Sequence, residues 1–139
     1  MNYKIISKFI KDISFEIPDT RAFLMLEKEI SNYSLNFDIR SKPYKENIIE
    51  VNTMLKISPS EKVKHKILTE ITCVALVSFE EIVEDKLKLE KIILVEVPTE
   101  IYPTLHKTFI YLFEQAGVKN IQIDKQVDFQ KLFDDRKKN

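Results

Sequence analysis

The chain has 139 residues, 44% of them hydrophobic and 32% charged, which supplies one buried core and leaves little room for a second domain. Twenty-two basic residues cancel 22 acidic ones, so the strongly basic signature of a nucleic-acid binder is missing. The single Cys73 excludes an intramolecular disulfide framework and fits a reducing cytoplasm, and the lone Gly117 excludes a Gly-rich phosphate loop. No apolar run reaches the roughly 18 residues of a membrane-spanning helix. Residues Met1 to Ile10 lack the apolar core and small-residue cleavage site of a signal peptide. These features predict a soluble, cytoplasmic, single-domain protein spanning 1–139 with no direct membrane insertion.

Alternation of apolar and polar residues dominates the first 80 positions. A loose version runs from Tyr3 to Phe9, and a strict one from Ile13 to Ile17. Leu35, Phe37 and Ile39 then alternate with Asn36, Asp38 and Arg40. Ile49, Val51, Thr53, Leu55 and Ile57 share a face opposite Glu50, Asn52 and Lys56. Successive strand side chains point to opposite faces, so each run reads as a strand with one apolar side. Turn-forming segments at 42–47 and 58–61 separate them, which predicts an antiparallel meander. A fourth strand, Val63 to Phe79, puts Ile67, Thr69, Ile71, Cys73, Ala75 and Val77 on one face. Its other face carries Leu68, Glu70, Thr72, Val74 and Leu76. Apolar residues on both faces of so short a chain predict coverage by another copy.

Beyond Glu80 the period changes. Residues 80–97 fit a strand or a helix equally well. From Ile101, the positions Leu105, Phe109, Leu112, Phe113 and Ala116 recur at helical steps. Thr99 is the expected N-cap of this helix, Pro103 falls in its first turn, and Gly117 ends it in a left-handed cap. A second helix is expected from about Val127, with Phe129, Leu132 and Phe133 on one side. The fold class is therefore α+β, a four-stranded antiparallel sheet followed by helices packed on it.

Catalytic chemistry finds no foothold. His65 and His106 stand apart from Cys73 in no metal-binding spacing, and Cys73 sits in an apolar strand as a small hydrophobe. Pairs such as Glu80-Glu81 and Asp134-Asp135 read as solvated surface. No nucleophile, base and orienting acid fall in a recognisable arrangement. The expectation is a protein without enzymatic activity, metal or cofactor.

The stretch Lys11-Asp12-Ile13-Ser14-Phe15-Glu16-Ile17-Pro18 resembles the N-terminal signature of the SecB export-chaperone family, close to K-D-[IL]-S-F-E-x-P. Ile67-Leu68-Thr69-Glu70-Ile71 resembles that family's strand of an apolar residue followed by Leu-x-Glu-Val. Pro98 and Pro103 are spaced as in its P-x-x-L-[FY]-P segment. Gly117 precedes Val127-Asp128-Phe129-Gln130-Lys131-Leu132-Phe133 as the family's helix-ending glycine precedes V-[ND]-F-x-x-L-F. The matches fall in order along nearly the whole chain.

The resemblance implies an ATP-independent holdase that binds unfolded preproteins and passes them to the SecA motor of the translocase. It also implies a homotetramer built as a dimer of dimers. By position, the client groove would hold Leu35, Phe37, Ile39, Ile67, Thr69, Ile71 and Phe133, and the SecA-facing surface Asp12, Glu16, Leu68 and Glu70. The chain departs from the family in being neutral rather than strongly acidic. It ends Asp134-Asp135-Arg136-Lys137-Lys138-Asn139 in place of a polar, acidic tail. Val74-Ala75 stands for a glycine pair, and Leu105-His106 for Ala-Arg. The tail-mediated part of SecA docking is thereby in question. Two other readings stay open: a chaperone dedicated to one partner, such as a toxin–antitoxin antitoxin, and a small-molecule-binding or enzymatic α+β domain.

Overall fold

The computed structural model describes residues 3–137, so Met1, Asn2, Lys138 and Asn139, which bear on the leader and tail expectations, lie outside the described residues. Four long strands carry the fold: β1 (Tyr3–Glu16), β2 (Tyr33–Lys45), β3 (Ile48–Pro59) and β4 (Leu68–Phe79). They form one antiparallel sheet in the order β1-β4-β3-β2. The three later strands make the expected meander, but β1 pairs with β4 and not with β2. Helix α1 (Thr20–Glu29) and a 3-10 turn (Ile30–Asn32) make the crossover between the two sheet edges.

Helix α1 has no counterpart in the alternation reading. Its signals are local and brief. The Asp19 side chain accepts a hydrogen bond from the Ala22 N–H at 2.8 Å, capping the first turn, and only Ala22 and Leu26, four residues apart, are buried. The looseness of β1 also has a physical cause. Its pairing with β4 shifts register between Ile5 and Ser7 and again between Ile10 and Asp12. Each bulge inserts a residue and resets the phase, so the positions opposite β4's buried residues are Tyr3, Ile5, Lys8, Ile10, Ile13 and Phe15.

One sheet face is covered. Val51, Leu55 and Ile57 of β3 and Ile71, Cys73, Ala75 and Val77 of β4 form a single core with Ile101, Leu105, Phe109 and Phe113 of α3 (Val97–Gln115). Among the described residues, the other face carries no helix. Val74 points there and is nonetheless 1% exposed, with Phe9 and Asn52 beside it in register. Its burial therefore needs no second copy. Residues 60–67 form a loop rather than the start of β4, anchored by buried Val63 and by the Ile67 N–H donating to Tyr33 Oη at 3.1 Å.

The ambiguous segment 80–97 resolves as a loop followed by helix. Asp85 caps α2 (Lys86–Lys91), which runs through a π-helical turn (Ile92–Glu96) directly into α3. Pro98 explains the π turn. It has no N–H to give the Leu94 carbonyl, and the Val97 N–H reaches back to Ile92 in the wider π pattern. Thr99 is consequently inside the helix, where its hydroxyl donates to the Val95 carbonyl at 2.6 Å, and Pro103 lies in the interior rather than in the first turn. The far end matches expectation. The Gly117 N–H donates to Glu114 and the Val118 N–H to Phe113, a Schellman cap, with Gly117 at φ +93°. Helix α4 (Phe129–Lys137) follows, Asp128 accepting from the Lys131 N–H at 3.0 Å.

Candidate functional site

Strand alternation sorts the expected functional residues onto two faces. On the covered side, a groove of about 840 Å³ opens between β2 and α4. Leu35, Phe37 and Ile39 of β2, half-buried, form one wall, and Phe133 and Leu132 of α4 stand in the other. Phe37 and Phe129 line its base, with Tyr102 packed behind them. Phe37 meets Phe129 edge-on at 5.0 Å and Tyr102 at 5.9 Å between ring centroids, and Tyr102 lies 6.2 Å from Phe129. The rim is charged, with Asp124, Asp128, Lys131, Asp135 and Arg136.

The remaining groove candidates are placed differently. Ile67, Thr69 and Ile71 are 3%, 0% and 0% exposed and belong to the core, outside the lining of this groove. They sit on or beside β4, a central strand, whereas the groove follows the edge strand β2. Alternation places a residue on a face but cannot tell the middle of that face from its margin. Leu94 is a groove residue that the sequence reading missed. The π turn sets it against β2 and α4, and the only local signal was Pro98 four residues on.

On the open face, Asp12, Glu16, Leu68 and Glu70 come together. Glu16 is paired in register with Leu68, Ser14 with Glu70, and Asp12 with Thr72. Asp12 and Glu16 are exposed, and Leu68 is 41% exposed, a large apolar side chain beside carboxylates. Glu70 Oε1 lies 3.3 Å from Lys56 Nζ on the neighbouring strand. Farther along this face, Arg40 pairs with Asp38 at 3.0 Å and Lys42 with Glu50 at 3.6 Å. A hydrogen bond from Asn52, aided by Lys42, holds the Glu50 carboxyl below the usual carboxylate range. Neutrality is thus local as well as global here.

Nothing in the described residues assembles a reactive centre. No group of His, Cys, Asp and Glu side chains converges there as metal ligands would. Burial pushes the Cys73 thiol up, away from the reactive thiolate. His65 Nδ1 lies 3.7 Å from Asp19, and His106 bonds a backbone carbonyl. No helix among the described residues is long and apolar enough to cross a membrane.

Comparison with known proteins agrees with this architecture. Residues 1–139 match the family described as preprotein translocase subunit SecB. A putative protein-export protein SecB from Pelagibacter ubique (strain HTCC1062) is 45% identical over 135 residues, covering 97% of this chain and 96% of that one. Among solved structures, the Mycobacterium tuberculosis Rv1957 SecB-like chaperone, in complex with a ChAD peptide from the HigA1 antitoxin, superposes with a TM-score of 0.69 at 8% identity. The match covers 91% of this chain and 88% of that one, and it bears on the fold alone. Proteins of the matched family are chaperones, not enzymes. A whole-chain family match, a close full-length relative and the sheet-and-helix layering together place this chain in the SecB family of protein-export chaperones.

Proposed function

We propose that this protein is a cytoplasmic, ATP-independent holdase that binds unfolded preproteins in the β2–α4 groove and hands them to SecA through the opposite sheet face. The observation that carries the reading is the separation of two unlike surfaces by a single sheet. The groove offers Leu35, Phe37, Ile39 and Leu94 to extended apolar segments, and β2 is an edge strand whose backbone pairs without regard to sequence. Carboxylates on the rim favour segments that also carry Lys or Arg. Binding only the unfolded form shifts a client's folding equilibrium by mass action, without a nucleotide.

Opposite the helices, exposed Leu68 beside the exposed carboxylates of Asp12 and Glu16, with Glu70 shared with Lys56, offers an apolar and acidic contact fit for a basic docking segment. A homotetramer is part of the proposal. Edge strand β1 carries Ile6, Phe9 and Ile13 at 48%, 50% and 45% exposure along an unpaired backbone, an edge that natural sheets ordinarily blunt or cover.

The test is paired. Glu16→Lys with Glu70→Lys should weaken SecA binding by several kcal/mol, the general cost of juxtaposed like charges, and leave aggregation suppression intact. Phe37→Ser with Phe133→Ser should do the reverse. Loss of both activities in either folded, tetrameric variant would sink the two-face reading.

A further inference from the structure

The groove's outer wall hangs from a connection that has neither helix nor strand. Between the Gly117 cap of α3 and the Asp128 cap of α4, residues 119–126 cross the surface with partly buried Ile121 and Ile123 as their apolar contacts. Among the described residues, two hydrogen bonds reach the backbone of this stretch, both from the same face of α3. The Tyr102 hydroxyl donates to the Asp124 carbonyl, and His106 Nε2 lies 2.9 Å from the Ile123 carbonyl. A carbonyl only accepts, so His106 carries its proton on Nε2 in this bond. The two side chains are four residues apart, one helical turn, with ring centroids 6.0 Å apart, and they grip neighbouring carbonyls. Tyr102 is 2% exposed, and its ring packs behind the groove against the lining residues Phe37 and Phe129. Burial, the larger cause, and Asp124 push its hydroxyl up to about 12, so it remains a donor throughout the physiological range.

We infer that Tyr102 and His106 are positioning residues, a latch that fastens the 119–126 connection to α3 and thereby sets how readily α4 swings away from β2 to admit a client. The inference rests on the proposed groove. It adds that the rate of client capture is governed by two side chains whose polar atoms face the connection and not the bound segment. Both hydrogen bonds end on backbone carbonyls, so the latch is indifferent to the side chains of the connection itself.

The test uses the full chain with Tyr102→Phe and His106→Ala, singly and together. Hydrogen exchange is read in α4 and in β4, and capture of a labelled, carboxymethylated, permanently unfolded α-lactalbumin is followed by stopped-flow anisotropy. Tyr102→Phe keeps the ring and removes only the hydroxyl. Each change should speed α4 exchange, and capture with it, by roughly two- to twelvefold, the span of one net hydrogen bond. β4 exchange should not move. His106→Gln, which keeps a donor, should restore both rates. Unchanged α4 exchange in all three variants overturns the latch. So does faster exchange with unchanged capture, provided Phe37→Ser still slows capture. If Phe37→Ser leaves capture untouched, the groove itself is wrong and the latch falls with it.

Discussion

Thr53 and Thr69 bury their hydroxyls in the core at 1% and 0% exposure with no hydrogen-bond partner among the described residues, on adjacent strands of the covered face. An orphaned buried hydroxyl costs about 1–3 kcal/mol, whereas removing it leaves a side chain of nearly the same shape. Thr53→Val and Thr69→Val are each expected to raise stability by about 1 kcal/mol, read as a higher urea midpoint with unchanged slope. The Thr69 variant also separates core from groove: stabilisation with undiminished client holding fixes it as core. Tyr102 supplies a residue-scale prediction with a pH signature. Its pKa rises from 10.0 in the ordinary case to about 12 in the fold, so the folded state favours the protonated phenol. That stability is fully present below pH 10.0 and is lost as pH climbs through about 12. Tyr3, also raised to about 12 by burial and then by Glu100 and Glu96, loses its share in the same window. Tyr102→Phe should therefore flatten, without abolishing, the alkaline fall of the denaturation midpoint.

At the scale of elements, the end of α3 is the sharpest local feature. Gly117 sits at φ +93°, and a Cβ there would meet the Phe23 ring at 3.7 Å, an ordinary contact. Space is thus available and only the backbone objects. Gly117→Ala is expected to cost about 1 kcal/mol, the strain of a left-handed alanine, measured by thermal or urea unfolding. A much larger loss would mean that the α1–α3 contact through Phe23 had been disrupted as well. The π turn ahead of α3 is the opposite case. Pro98 deprives Leu94's carbonyl of its usual donor, and the resulting turn places Leu94 at the groove. The proline's position is plain in the sequence, but its consequence depends on α2 being helical at all.

At the scale of the whole molecule, the sheet is a partition with an exposed edge. Light scattering at micromolar concentration is expected to give four times the mass of the chain. Phe9→Glu with Ile13→Glu, charges on an edge otherwise open to strand pairing, should yield a smaller species that retains its far-ultraviolet circular dichroism. A monomer in the unsubstituted protein would remove the tetramer from the proposal. The balanced charge has its own consequence, because no strong net field steers a partner from afar. SecA association should then depend on the local carboxylates, and its salt sensitivity should drop in the Glu16→Lys and Glu70→Lys variant.

Much of this was legible in the chain alone. Period-two runs marked β2, β3 and β4. The same alternation put Asp12 with Glu16 on one face of their strand and Leu68 with Glu70 on one face of theirs, and a lone glycine marked the end of the main helix. These are local properties: side-chain direction in a strand, and the freedom of one residue to adopt positive φ, need no knowledge of distant segments. Tertiary structure decided the rest. That β1 joins β4, with α1 carrying the chain across, depends on a pairing between residues far apart in sequence, and the two bulges that blur β1 exist only against its partner. Leu35, Phe37 and Ile39 share their pattern with Ile67, Thr69 and Ile71, yet the first three line a groove and the others are sealed in the core. An apolar side chain carries no mark of whether its strand will be central or at the edge; strand order and the placement of α4 settle that.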